Sequence, residues 1–367
     1  MAEPLKNMFN CESLGAFGAA IKAAYGDFDA VGFVAAVMGE GWEALELKAR
    51  GRKISCTLGD FLPRDYECAL GVLDALRGNY QGPCLFCLPD FVEVFGVGDG
   101  DLEPSLAALA RYTPHASAEF AIRPLIVRHP ARVMAQMLAW ADSENEHLRR
   151  LASEGCRPQL PWGMALTAFK ADPAPVLPIL ERLCDDSSHY VRNSVANNLN
   201  DISKTHPELV LDIAKRWQGH SERTDWIIKH ACRTLLKKGN REALALFGCD
   251  DAAAVEVSDF ALGAERVAIG GELTFSFTIY AKSVVKARLE YAVDYVKANG
   301  KQSRKVFQIS EILLKQGEHR DYQKRISFVD LSTRKHYPGT HALALIVNGQ
   351  ERGKVTFEVG AITPKEL

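Results

Sequence analysis

The chain has 367 residues, 47% of them hydrophobic and 25% charged, with a net charge of −2. That is ordinary globular composition, with length enough for two domains. No apolar run reaches transmembrane length and no basic-then-apolar leader opens the chain, so neither a membrane partner nor secretion is expected.

Nine cysteines, odd in number and scattered, fit a reducing cytoplasm better than a disulfide framework. Charge is unevenly spread: the net is −8 over residues 1–110, +5 over 111–241 and +3 over 251–367. Basic charge after residue 110 fits an uneven solvated surface or a polyanion-binding face, and charge alone does not separate the two.

Residues 13–47 carry apolar positions at helical spacing. Ser13 is placed to cap a first helix, a second runs through Phe28, Val31, Phe33, Val34 and Val37, and Trp42, Leu45 and Leu47 belong to a third. The short basic cluster from Leu47 to Lys53 reads as a solvated helix end or a phosphate contact. Cys84 and Cys87 form the single CxxC. Apolar neighbours and the lack of a second ligand pair make them two buried thiols rather than a zinc site. No phosphate-binding loop, dinucleotide fingerprint or nucleophile elbow is present.

From residue 113 a repeat emerges. Pro130, Pro173 and Pro207 each open an apolar helical run, as proline tolerates the first helical turn. A second helix follows each: Leu148–Ala152, Val191–Val195 and Ile228–Cys232, offset by 43 and 37 residues. This predicts helical pairs stacked as an all-α HEAT-like solenoid over residues 1–250. Arg149, Arg192 and Lys229 share one repeat position and are expected to form a basic row on one face.

Within the repeat, residues 149–163 read as a helix end stopped by Gly155 and Pro158, then a rigid loop carrying Pro161 and Trp162. Glu154 sits at the helix C-terminus, where an acid opposes the macrodipole. Glu119 and Asp201 also fall near helix ends, in the preceding and following repeats. A single carboxylate there is ordinarily a structural ion pair; three beside Arg149, Arg150, Arg157 and Arg192 point to a site.

Near residue 250 the period changes to two. Alternation in Leu273–Tyr280, Ala287–Val296, Lys305–Ile309, Lys324–Val329, Ala342–Val347 and Lys354–Val359 predicts six or seven strands. The turn signals include Asn348-Gly349, a two-residue hairpin pair. Residues 251–367 therefore read as an all-β immunoglobulin-like sandwich without cysteine, with the boundary at Asp251 to Val255.

The runs Ala118–Pro124, Arg149–Trp162, Tyr190–Asp201 and Trp226–Lys238, with Met1–Phe9 and Lys48–Ile54, resemble those of the AlkC branch of the DNA alkylation repair proteins, over about residues 1–245. The strand-rich tail is similar to the subset that carries an immunoglobulin-like domain. The resemblance implies a HEAT-like DNA glycosylase that excises cationic alkylated bases, 3-methyladenine and 3-methylcytosine, from duplex DNA in base excision repair, without flipping the base. It implies a monomeric, cytoplasmic protein of bacterial type, with neither metal nor cofactor, whose motif carboxylates fall on Glu119, Glu154 and Asp201.

Chemistry suits these residues to that task. A methylated base already carries positive charge and leaves readily, so carboxylates facing the sugar stabilise the oxocarbenium-like charge that develops there. The arginines then hold phosphates. Trp162 and Trp226 are aromatic candidates for the lesion nucleotide, with helix packing the alternative for both and the stronger one for Trp226, and Asn197, Asn198 and Lys204 are candidates for backbone contacts. Two other readings stay open: a non-catalytic scaffold for damaged DNA, and a HEAT-repeat protein adaptor.

Overall fold

The computed structural model describes residues 3–98, 100–331 and 334–360. They form two units: residues up to His206 together with Trp217–Ala231, and Pro207–Arg216 together with the residues from Cys232 onward. Among the described residues, sixteen α-helices precede eight β-strands. No described helix is long and apolar enough to cross a membrane.

In the first unit, the helix Cys11–Ala24 is capped by Asn10 rather than by Ser13. Ser13 is the third helical residue, and its hydroxyl accepts from the Asn10 backbone N–H while its own N–H donates to the Asn10 side chain, a reciprocal pair that satisfies two end donors. Phe17, Phe28 and Phe33 are fully buried and pack ring against ring. The helix Leu47–Phe61 follows, and the two arginines of its basic cluster are engaged within the protein. Arg50 is buried against Glu43 and the carbonyls of Leu45, Lys6 and Phe9, and Arg52 pairs with Asp90 and Glu93. Cys84 and Cys87 are both buried thiols. Burial holds Cys84 protonated, its pKa pushed up to about 11.

The expected helix pairs follow. Pro130–Trp140 leads into Glu146–Gly155; that helix packs on His189–Ile202, which packs in turn on Glu222–Ala231. The contact faces are the apolar stripes Leu151 and Ala152, then Val191, Val195 and Leu199, then Ile227 and Ile228, all buried. Pro173 differs from Pro130 and Pro207: a turn intervenes, and the next helix starts only at Leu177, with Pro178 in its first turn.

The second unit holds the sandwich. Its strands are β1 (Val255–Leu262), β2 (Arg266–Ala268), β3 (Glu272–Ala281), β4 (Val285–Val296), β5 (Gln302–Leu314), β6 (His319–Ser327), β7 (Gly339–Val347) and β8 (Gln350–Gly360). One sheet has the order β1-β3-β6 and the other β2-β8-β7-β4-β5. Inward residues Phe275, Phe277, Ile279, Leu289, Val293, Leu343, Leu345 and Phe357 build the core between them. The expected turn is present: Asn348 (φ 46°) and Gly349 (φ 74°) join β7 to β8 with both residues left-handed. Two strands escape the sequence pattern. β2 has three residues, and β1 is broken by a bulge between Ser258 and Ala261, with Asp259 at φ 53°.

Candidate active site

Glu119 lies in the turn before the helix Ile122–Arg128. Glu154 is in the last turn of Glu146–Gly155, and Asp201 in the last turn of His189–Ile202. The stacking of the helices brings these ends together, and the three carboxylates join one chain of alternating charge. Ser117 and Arg150 both donate to Oε2 of Glu119. Arg150 also lies 3.6 Å from Oε1 of Glu154. Arg157 donates Nη1 to the same Glu154 oxygen at 2.6 Å and Nε to Oδ2 of Asp201 at 2.9 Å. Lys204 completes the chain on Oδ1 of Asp201 at 2.7 Å.

Glu119 is the most open of the three carboxylates, and Lys204 is the most open member of the chain. The side chains of Asp201 and Glu154 are 2% and 7% exposed, against 15% for Glu119 and 37% for Lys204. Ser194 donates to Oε2 of Glu154 at 2.7 Å, so both oxygens of Glu154 and both of Asp201 are occupied. Oε1 of Glu119 accepts no hydrogen bond from the described residues. Burial opposes the charge of Arg150 and of Arg157, but the surrounding carboxylates outweigh it. Glu119 and Glu154 raise Arg150, and Glu154 and Asp201 raise Arg157, so both guanidinium pKa values end above the ordinary one.

The macrodipole conflict expected at Glu154 is relieved locally. Arg157 and Ser194 bind its carboxylate, and Arg123 donates to the terminal Gly155 carbonyl at 2.9 Å. Asn198, buried, ties the two helices by donating to the Ser153 carbonyl at 2.8 Å. Cys156 lies beside it, and burial pushes its thiol up to about 12, which keeps it an inert proton-bearing group.

Trp162 stands out from the loop. It is 82% exposed and holds φ at 62°, a left-handed conformation costly for a bulky residue. Lys48 donates to its carbonyl at 2.8 Å while its ammonium sits 4.0 Å from the Phe120 ring centroid. Tyr190 borders the chain, its ring 4.9 Å from the Arg150 guanidinium that lies over it.

Several expected DNA contacts are placed differently. Arg149 binds Asp186 through two nitrogens and the carbonyls of Ser143 and Glu144; Arg192 binds the carbonyls of Asp186 and Ser187. Each arginine thus closes the loop that enters its own helix, so at these two positions the basic row expected from the repeat is half-buried and engaged by loop groups. Arg157 is buried between two carboxylates rather than set out as a phosphate clamp. Trp226 is partly exposed, stacked on His230 at 5.1 Å and edge-on to His189 at 4.6 Å. Asn197 and Lys229 lie half-buried on the helices His189–Ile202 and Glu222–Ala231.

Arg123, Ser194 and Tyr190 are site residues that the sequence reading passed over. Arg123 stands among the apolar residues Ile122, Leu125 and Ile126, and Tyr190 next to the apolar-basic pair Val191-Arg192. Ser194 carried no signal.

The family described as DNA alkylation repair enzyme matches residues 115–235. That described as the C-terminal Ig-like domain of the uncharacterised protein YhaZ matches residues 256–361. The uncharacterized protein YhaZ of Bacillus subtilis (strain 168) is 45% identical over 355 residues, covering 97% of this chain and 99% of the relative. The solved structure of Pseudomonas fluorescens alkylpurine DNA glycosylase AlkC, bound to DNA containing an abasic site analog, is 39% identical. It superposes with a TM-score of 0.93 over 98% of this chain and 100% of that one. Likeness of this extent shows that the chain belongs to the AlkC family of DNA alkylation repair proteins, in the form that carries a C-terminal immunoglobulin-like domain.

Proposed function

We propose that the protein is a DNA glycosylase of base excision repair that hydrolyses the N-glycosidic bond of 3-methyladenine and 3-methylcytosine in duplex DNA, with the base left unflipped. The observation that carries this reading is the single alternating chain that joins Glu119, Glu154 and Asp201 through Arg150 and Arg157.

The chemistry follows from charge. The leaving base is cationic, so bond cleavage needs stabilisation of the deoxyribose rather than a strong acid. Glu154 and Asp201, with every oxygen engaged, act as fixed negative charge, held rigid so that no reorganisation is needed as the sugar becomes positive. Glu119 has one unengaged oxygen and greater exposure, which suits it to orient and deprotonate the attacking water. Trp162 meets the lesion nucleotide, an exposed aromatic face attracting a cationic base. Lys204, exposed, and Asn197 and Lys229, half-buried, are candidates for backbone contact. The protein acts as a monomer on alkylated double-stranded DNA.

The test is direct: incubate the protein with duplex DNA bearing 3-methyladenine or 3-methylcytosine and measure free base. Release of neither base, where a control glycosylase acts, overturns the reading; binding without release assigns the chain to damage recognition instead.

A further inference from the structure

Arg123 is fully buried, and its three hydrogen bonds all run to backbone carbonyls. Nε donates to Met164 at 2.6 Å, Nη1 to Gly155 at 2.9 Å and Nη2 to Arg157 at 2.9 Å. These oxygens belong to the two ends of one loop: residues 155 and 157 on entry, 164 on exit. Between them lies Trp162, and on the entry side Arg157, whose side chain spans Glu154 and Asp201.

A guanidinium in this place is expensive. Burial pulls its pKa down to about 10, with Asp201 and Glu154 opposing the fall only in part. An apolar side chain would fill the same space at lower cost, so packing does not account for it. What an apolar residue lacks is a rigid planar fork that reaches three divergent carbonyls at once. The surroundings are shaped for that reach. A Cβ on Gly155 would stand 2.6 Å from Cγ2 of Ile122, so only a bare backbone brings the Gly155 carbonyl this close to the helix that carries Arg123. The loop also closes on itself, the Leu166 amide donating to the Pro158 carbonyl at 3.1 Å.

We propose that Arg123 is the positioning residue of this site: by holding the carbonyls of Gly155, Arg157 and Met164 it fixes the backbone from which Arg157 spaces Glu154 and Asp201 and from which Trp162 projects. What is positioned rests on the glycosylase reading; the holding of the loop does not.

The test uses the full chain labelled with 5-fluorotryptophan, the Trp162 resonance being assigned by Trp162→Phe. Arg123→Met, Arg123→Lys and Gly155→Ala are each compared with wild type in three measurements: the Trp162 ¹⁹F line, the single-turnover release of 3-methyladenine at saturating protein, and the affinity for duplex DNA. Rates are taken per folded molecule. For Arg123→Met and Gly155→Ala the line shifts or broadens and release slows about 10²-fold, as misplacement of about 1 Å does, while Kd stays within about threefold. Arg123→Lys, which keeps the charge and reaches fewer carbonyls, recovers part of the rate. Should Arg123→Met fail to fold, Arg123→Lys and Gly155→Ala carry the comparison. An unmoved line with wild-type release in both overturns the proposal, and so does a parallel fall of release and affinity, which marks a general support of the binding surface. If wild type releases no base, the glycosylase reading falls by itself, and the ¹⁹F line alone decides whether Arg123 holds the loop.

Discussion

Arg157 reaches Asp201 across 44 positions of sequence, its Nε donating to Oδ2 at 2.9 Å, in a setting where neither side chain is more than 8% exposed. Removing one partner of such a pair leaves the other charge buried without compensation. Arg157→Met is therefore expected to destabilise the fold by about 3–5 kcal/mol, read by denaturant unfolding. A loss near zero would show that Lys204 and Arg150 suffice to neutralise the two carboxylates.

Glu119 sits at the open end of the chain, so its substitution separates chemistry from folding. Glu119→Gln keeps the size of the side chain and an acceptor for Ser117 and Arg150. Base release is expected to fall about 10²–10³-fold, the usual cost of removing a preorganised electrostatic group. DNA affinity and melting temperature stay near wild type. Glu154→Gln and Asp201→Asn should lose activity and stability together, because both residues anchor buried cations.

Trp162 gives a prediction that runs in opposite directions for stability and function. Its left-handed φ of 62° is relieved by glycine and not by alanine. Trp162→Gly should then be more stable than Trp162→Ala by about 1 kcal/mol, on the scale of the left-handed penalty, while both variants release base more slowly than wild type. Equal stabilities would mean that Lys48 and the loop ends impose the conformation at no backbone cost.

In the sandwich, burial lowers the pKa of His341, with the Tyr337 carbonyl opposing the fall. Its Nδ1 is buried without a partner, and it packs among Tyr295, Phe328 and Phe357. The folded state therefore disfavours the charged ring relative to the unfolded chain. The stability tied to this residue is present above the ordinary value of 6.5 and is lost as pH falls through the lower folded pKa. Melting curves taken from neutral pH down to about pH 5 should show this decline, and His341→Phe should flatten it.

Features that follow a regular period or a two-residue turn signal were readable; features set by one loop, one bulge or partners far along the chain were not. Asn348-Gly349 announces its turn because two consecutive left-handed residues suit almost nothing else. The second helices of the pairs show because their apolar stripes recur with the repeat. Arg149 and Arg192 misled for the same reason: the repeat preserves their position, but the loop five and six residues upstream decides where they point. The carboxylates could be singled out, yet their order of exposure depends on Ser194, Arg157 and Lys204, whose approach only the helix stacking determines. β1 was hidden by a bulge that interrupts the alternation.

The alternating chain of Glu119, Arg150, Glu154, Arg157, Asp201 and Lys204 is close to electroneutral and mostly shielded from water. Mobile ions screen exposed charges and reach buried pairs poorly. Added salt should consequently act on the two stages of the reaction differently. Affinity for DNA falls as ionic strength rises, because phosphate contacts give up their counterions. On the proposed mechanism the rate of base release from the saturated complex should stay level, since the charges assigned to the sugar are already paired inside the protein.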